Sequence, residues 1–292
     1  MKIALYGKNF SHDFTDNIRT MFDIFHKYDA ELYIYEEFSK FLTGEMNIFP
    51  GKFKVFTDYT IQSENINFMF SLGGDGTFLE TLNFIRDSGI PVVGINTGRM
   101  GFLANISKEE VSVSVEDLFM KNYILEDRTL IRMTTGKGNL NEFNVALNEI
   151  TLHKKGMGMI SIICELDGEF LNTYWADGLI ISTPTGSTAY SMSVGGPIML
   201  PESRNFIISP VSPHNLSVRP ILVPDDTHIS LSVKSRDDQY LIALDSRSLL
   251  VGADVELLID KAPYTLKLVK FRNNNFYNTL RNKLMWGMDK RN

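Results

Sequence analysis

The stretch Asn67-Phe68-Met69-Phe70-Ser71-Leu72-Gly73-Gly74-Asp75-Gly76-Thr77 carries a short apolar run straight into three closely spaced glycines. Asn67 to Leu72 reads as a buried strand. Beyond the glycines, Thr77 to Asp87 reads as a helix, with Phe78, Leu79, Leu82 and Ile85 along one side and Gly89 past its end. A strand that turns through glycine into a helix belongs to a parallel sheet rather than to a hairpin. Working outward, Lys2 to Tyr6 is strand-like. Asp13 to Tyr28 places Phe14, Ile18, Phe22 and Phe25 close to helical spacing, Glu31 to Glu36 alternates as a strand, and Pro91 to Asn96 is a further buried strand. Residues 1–125 are therefore expected to form an α/β domain, a parallel sheet flanked by helices.

The pattern changes near residue 126. Arg128 to Thr135, Phe143 to His153, Met159 to Leu171, Val218 to Val223, His228 to Ser235, Tyr240 to Leu244, Asp254 to Ile259 and Tyr264 to Phe271 all look like strands. Turn signals such as Asp167-Gly168 and Pro224-Asp225-Asp226 separate them. Short strands at this spacing predict an all-β, sandwich-like domain over 126–271. The tail is helix-like from Phe276 to Met288, so residues 272–292 are expected to complete the first domain.

A chain of 292 residues can bury two cores. Its 35 acidic and 29 basic side chains leave a net charge of −6, which argues against a protein that grips a nucleic acid backbone. Cys164 is the single cysteine, which excludes an internal disulfide framework and a cysteine metal site; in its apolar run it reads as a small buried filler. The histidines (His12, His26, His153, His214 and His228) are scattered, with no metal-binding spacing. The apolar run at Met1 to Lys8 is too short for a signal peptide, and none approaches the ~20 residues of a membrane helix. The expectation is a cytoplasmic protein with neither nucleic acid nor membrane as partner, and with no protein-held metal.

The glycine loop carries the chemistry. Three glycines let the backbone turn tightly and approach a ligand, and free amides at the following helix start favour an anion such as a phosphate chain. A carboxylate there would repel phosphate unless it has a task. Asp75 could take the proton of an attacking hydroxyl, or help hold the divalent cation that travels with ATP. A plain turn is the competing reading, since Asp-Gly is a common turn dipeptide. No lysine follows the last glycine as in a Walker A loop, and Gly-x-Gly-x-x-Gly is not matched. A second glycine-rich turn, Gly94 to Leu103, follows the next strand, where parallel sheets bind ligands. There Arg99 could pair with a phosphate and Phe102 could face a flat base. A solvated arginine and a core phenylalanine are the ordinary alternatives.

Together with later blocks, these loops resemble the NAD kinases, over roughly residues 67 to 223 with a weaker echo at 245. The marks are Gly73-Gly74-Asp75-Gly76-Thr77, then Gly94 through Ala104, then Ala146-Leu147-Asn148-Glu149. The longest runs from Ala176-Asp177-Gly178 through Thr183-Pro184-Thr185-Gly186-Ser187-Thr188-Ala189-Tyr190-Ser191, followed by Gly195-Gly196-Pro197-Ile198. Diacylglycerol, sphingosine and phosphofructokinase-type kinases share only the first loop. The resemblance implies transfer of the γ-phosphoryl of ATP to the 2′-hydroxyl of the adenosine ribose of NAD, with Mg²⁺ accompanying ATP and Asp75 as catalytic base. It implies NAD contacts at Asp75, Gly76, Phe102, Asn148, Glu149, Asp177, Thr185, Thr188, Ala189, Tyr190, Ser191, Met192 and Ser193. It implies ATP phosphate contacts at Gly73, Gly74, Gly76, Thr77 and Arg99, and a homodimer or homotetramer. Two places depart from the family pattern: many members have an arginine shortly before the Asp-Gly of the fourth block, where the nearby residue here is Trp175, and Asp245-Ser246-Arg247 stands where many have Asp-Gly-Gln. The rival readings are a lipid or sugar kinase with the same first loop, and a non-catalytic dinucleotide-binding regulator. NAD against NADH, and ATP against polyphosphate, stay open.

Overall fold

In the computed structural model, which describes residues 1–98, 100–136, 143–235, 237–271 and 275–286, the strand Phe68–Leu72 is buried at all five positions. It pairs in parallel with Lys2–Gly7 on one side and Val92–Ile95 on the other. Lys2–Gly7 pairs in turn with Glu31–Tyr35, and that strand with Phe53–Phe56, again in parallel. Leu268 extends the other edge by pairing with Val92. Strands covered on both faces read as continuous apolar runs, which is why Phe68–Leu72 and Val92–Ile95 do not alternate. Chain contacts define this unit as Met1–Asp127 with Leu266–Asn292. The helix Thr15–Lys27 buries Ile18, Met21, Phe22 and Phe25. It packs on the helix Val111–Phe119, where Tyr28 stacks on Phe119 at 4.3 Å.

Several segments differ from the sequence expectation. The helix expected from Thr77 begins at Asp75 and breaks at Thr81, giving Asp75–Glu80 and Leu82–Ile85. The Thr81 amide and hydroxyl both donate to the Phe78 carbonyl, at 3.1 and 2.6 Å, which tightens the turn there. The helix Glu36–Lys40, the strand Phe53–Phe56 and the helix Val111–Phe119 were not anticipated. Val111 to Val115 alternates as a strand would, but a capping box between Ser107 and Glu110 starts a helix ahead of it, and Val111, Ser114, Val115 and Leu118 are its buried face. The C-terminal helix Phe276–Leu284 lies in this unit, capped where the Asn275 side chain accepts the Asn278 amide at 2.8 Å. Residues 272–274 and 287–292 of the tail fall outside the described residues, as does Arg99.

The second unit, Arg128–Thr265, is antiparallel. Six strands run in the order Ile221–Pro224, Asn205–Val211, Gly178–Ser182, Glu149–Lys154, Gln239–Leu244, Arg247–Gly252. A second layer pairs Glu169–Ala176 with Ile160–Leu166, that strand with Ile229–Lys234, and Ile229–Leu231 with Leu257–Ile259. Between the layers lie Ile150, Leu152, Leu179, Ile181, Phe206 and Ile242 from the first and Ile162, Cys164, Leu231 and Ile259 from the second. The long strand expected at Met159 to Leu171 is a hairpin folded at Asp167 (φ 51°) and Gly168 (φ 82°), the primed turn that suits strand twist. The two strands expected between Asp254 and Phe271 are one, Leu257–Phe271, uninterrupted at Pro263. Gly178–Ser182 and Asn205–Val211 were not anticipated. No helix among the described residues is long and apolar enough to cross a membrane.

Candidate active site

In the first unit, Asp75 opens the helix that follows the buried strand, with Gly74 at the N-cap position. The second glycine turn folds back onto it. Asn96 braces that turn, accepting the Gly98 amide at 2.7 Å and donating to the Ala104 carbonyl at 3.3 Å. The returning chain presents three amides to the Asp75 carboxylate: Phe102 to Oδ2 at 2.9 Å, Leu103 to Oδ1 at 2.9 Å and Ala104 to Oδ1 at 3.0 Å. A Cβ at Gly101 would overlap this carboxylate, so the turn needs glycine for the approach. Lys283, on the C-terminal helix, reaches Oδ2 at 3.1 Å. Sequence reasoning missed this lysine, because nothing in a tail pattern marks which distant loop it meets.

The neighbouring residues take distinct parts. The Gly73 amide donates to the Ile95 carbonyl at 3.0 Å, so Gly73 shapes the turn while its N–H is already engaged. Thr77 is buried against Gly73, where an added Cβ would strike its side chain. The amides of the first helical turn have no helical carbonyl to receive them. The Phe102 ring lies 6.2 Å from the Phe276 ring.

In the second unit, strand register brings the third and fourth sequence blocks together. Ser182 is opposite Glu149, Ile180 opposite Thr151 and Gly178 opposite His153. Alternation sends Ile150 and Leu152 into the core and turns Glu149, Thr151 and His153 to the other face. The segment after Ser182 folds back over that face. The Thr183 amide donates to the Asn148 carbonyl at 2.9 Å, and its hydroxyl donates to the Leu147 carbonyl at 2.5 Å. Thr185 to Thr188 form one helical turn and Tyr190–Ser193, holding Ser191 and Met192, another, with Ala189 between them. Tyr190 stacks on His153 at 5.6 Å, and Ser191 is hydrogen-bonded to Ser209 at 3.1 Å. Asp177 is held by Lys154 at 2.6 Å.

The electrostatics of this face centre on Glu149, which is 8% exposed. Burial first, and then the negative charge of Asp245, push its carboxyl up to about 8, against the pull of a hydrogen bond from the Tyr190 amide. Glu149 Oε2 and the Thr185 hydroxyl are buried polar atoms with no partner among the described residues. Such atoms are costly to leave unpaired, and a ligand on this face would pair them. Burial also lowers the basicity of His153, countered by Asp177. Asp245 does more than form the expected turn: its carboxylate accepts the amides of Leu147, Asn148 and Glu149. Arg247, at a position that departs from the family pattern, donates to the Phe143 and Val145 carbonyls and sits 4.7 Å over the Phe143 ring. Trp175, the other departure, is exposed on the strand Glu169–Ala176.

Comparison with known proteins gives concordant findings. The ATP-NAD kinase N-terminal domain family matches residues 34–123, and the ATP-NAD kinase C-terminal domain family matches 147–271. The chain is 44% identical to the NAD kinase of Cytophaga hutchinsonii over 293 residues, covering 100% of both. It is 43% identical to that of Flavobacterium johnsoniae over 295 residues, again with 100% of each covered. Among solved structures, yeast NADH kinase complexed with NADH aligns with a TM-score of 0.86 at 22% identity, over 99% of this chain and 89% of that one. An NAD kinase from Archaeoglobus fulgidus in complex with ATP aligns at 0.74 and 24% identity, over 98% and 99%. At those identities the structural likeness speaks to the fold.

Proposed function

The chain belongs to the ATP-NAD kinase family, and from that premise we propose that it transfers the γ-phosphoryl group of ATP to the 2′-hydroxyl of the adenosine ribose of NAD. ADP and NADP are the products. The observation that carries the reading is the Asp75 carboxylate, fixed by three backbone amides at the mouth of a strand-to-helix turn. Asp75 takes the hydroxyl proton as the ribose oxygen attacks the γ-phosphorus. The first-turn amides of Gly76 and Thr77, with Gly74 beside them, favour the donor phosphates, and Arg99 is assigned to the same task. General-base help of this kind contributes roughly 10²–10⁴-fold, and the rest comes from alignment and electrostatics. In the second unit, Asn148, Glu149, Asp177, Thr185, Thr188, Ala189, Tyr190, Ser191, Met192 and Ser193 are assigned to the dinucleotide, with Phe102 from the first. The buried, unpartnered oxygens of Glu149 and Thr185 support that assignment.

Mg²⁺ belongs in this reading as the companion of ATP. The donor phosphates would supply most of its ligands, as is usual for this cation beside a nucleotide. When bound, it offsets phosphate charge. The cytoplasm is the default assignment, and by family resemblance the protein is assigned as a homodimer or homotetramer.

The test is a direct assay of phosphoryl transfer from Mg²⁺·ATP to NAD, sphingosine, diacylglycerol and fructose 6-phosphate side by side. Turnover on NAD alone is expected, and turnover on a lipid or sugar instead would defeat the reading. Asp75→Asn keeps the shape and removes the base; it should lose roughly 10²-fold or more in kcat. Near-parental turnover with intact nucleotide binding would remove Asp75 from the role of base.

A further inference from the structure

The Asp75 carboxylate has no vacancy. Oδ1 accepts the amides of Leu103 and Ala104, and Oδ2 accepts the amide of Phe102 and the Lys283 ammonium. An ionised carboxylate offers about four lone-pair sites, and four donors fill them. A general base must nevertheless receive the substrate hydroxyl on one of these oxygens, so a donor has to leave.

The four donors are not equally free to move. Three belong to backbone that is tied down: the Gly101 amide donates to the Ala104 carbonyl at 3.1 Å, and the Asn96 side chain holds the same carbonyl. An added Cβ at Gly94 would lie 2.6 Å from the Leu103 carbonyl oxygen, so the turn also sits hard against its own strand. Lys283 is different. Its ammonium rides on a flexible four-carbon stem, 4.6 Å over the Phe102 ring. Its side chain is 33% exposed against 27% for Asp75, so the pair is partly screened and can be exchanged. The base of its helix stays in place through the contact of Phe276 with Phe102.

We propose that Lys283 is an exchangeable occupant of Asp75: it holds Oδ2 until the sugar hydroxyl arrives, cedes that oxygen, and turns its ammonium to the phosphate tail of the donor. The inference rests on Asp75 being the base. A bare carboxylate beside a polyphosphate is repulsive, and the displaced cation remains within reach to offset that charge. The proton count closes without it. The hydroxyl proton passes to Asp75 Oδ2, the ribose oxygen forms its bond to the γ-phosphorus, the bond to the β-phosphate bridging oxygen breaks, and ADP leaves. Lys283 stays an ammonium throughout.

The test is steady-state kinetics of the full chain carrying Lys283→Met, Lys283→Gln or Lys283→Arg, with NAD and Mg²⁺·ATP. Met and Gln should each lower kcat roughly 10- to 100-fold without raising the KM for NAD, because the oxygen the substrate needs is left open by Met and held only by a neutral, readily displaced donor in Gln. Gln can still donate to Asp75 but carries no charge, so its failure separates charge from contact. Arg should recover most of the lost turnover. The proposal is overturned if kcat stays within about twofold of the parent, if the deficit sits in the KM for NAD, or if Arg is no better than Met. Far-UV circular dichroism and a thermal melt check that each variant is folded, and Arg and Gln keep the comparison available if Met is not. Asp75→Asn in parallel separates the two readings. An active Asp75→Asn removes the base itself, whereas an inactive Asp75→Asn beside silent Lys283 variants removes only the exchange.

Discussion

Asp245 grips Glu149 by its backbone while raising the cost of ionising its side chain. The half-buried Asp245 carboxylate accepts the amides of Leu147 and Asn148, each at 2.8 Å, and of Glu149 at 3.2 Å. Burial raises both acids, but Asp245 is offset by three amides and the Arg247 charge, whereas Glu149 has one amide. Burial thus pushes both carboxyls toward the protonated form, against more opposition at Asp245 than at Glu149. Replacing Asp245 by Ala strands three amides in the interior. The expected loss is about 3 kcal/mol or more in urea unfolding, with Asp245→Asn milder because one acceptor remains. NAD affinity, measured by calorimetry, should fall with it.

The raised pKa of Glu149 makes a signed prediction. Its native value, about 8, lies above the ordinary 4.5, so between those values the native state holds a proton that the unfolded chain has released. Stability from this group is complete below about pH 4.5 and is lost as pH rises toward about 8. Glu149→Gln removes the titration. Urea midpoints of parent and variant should converge near pH 5 and separate in the variant's favour toward pH 8. A gap that is constant across that window would show that Glu149 does not titrate there.

Much of this was legible in the sequence, and the exceptions have physical causes. The strand Phe68–Leu72, the glycine loop and the Asp167-Gly168 turn announce themselves locally, through apolar runs and residues that tolerate unusual φ. Val111–Phe119 is poorly marked in the sequence because its β-branched alternation opposes the helix that the capping box and the buried face set. Gly178–Ser182 is hard to see because its short apolar run is bracketed by turn signals, Asp177-Gly178 before it and Thr183-Pro184 after it. The partners of the site residues are long-range facts. Lys283 meets Asp75 across 208 positions and Asp245 meets Leu147 across 98, and no periodicity encodes such pairs.

Gly101 tests how closely Asp75 must be held. Any Cβ there meets the carboxylate, so Gly101→Ala must displace either Asp75 or the amides of Phe102 to Ala104. A misplacement on the order of 1 Å at a reacting group can cost roughly 10²-fold in rate. The expected result is a kcat loss of that order with the far-UV spectrum preserved. Unaltered kinetics would mean that the observed contact is not the reactive one.

Gly186 makes the matching test in the second unit. An added Cβ would overlap the Asn148 carbonyl oxygen and come within 2.6 Å of the Ser182 hydroxyl. The carbonyl is backbone and already receives the Thr183 amide, so it cannot swing aside as a side chain would. The block from Thr185 to Ser193 must lift from the sheet face instead, which loosens the Tyr190 ring from His153 and the Tyr190 amide from Glu149. Overpacking of this kind costs about 1–3 kcal/mol. Gly186→Ala is expected to lower the urea midpoint accordingly and to weaken NAD binding by calorimetry. Phosphoryl-donor binding at the glycine loop of the first unit should be nearly unchanged. A variant that lost ATP affinity as strongly as NAD affinity would contradict the assignment of the dinucleotide to this face.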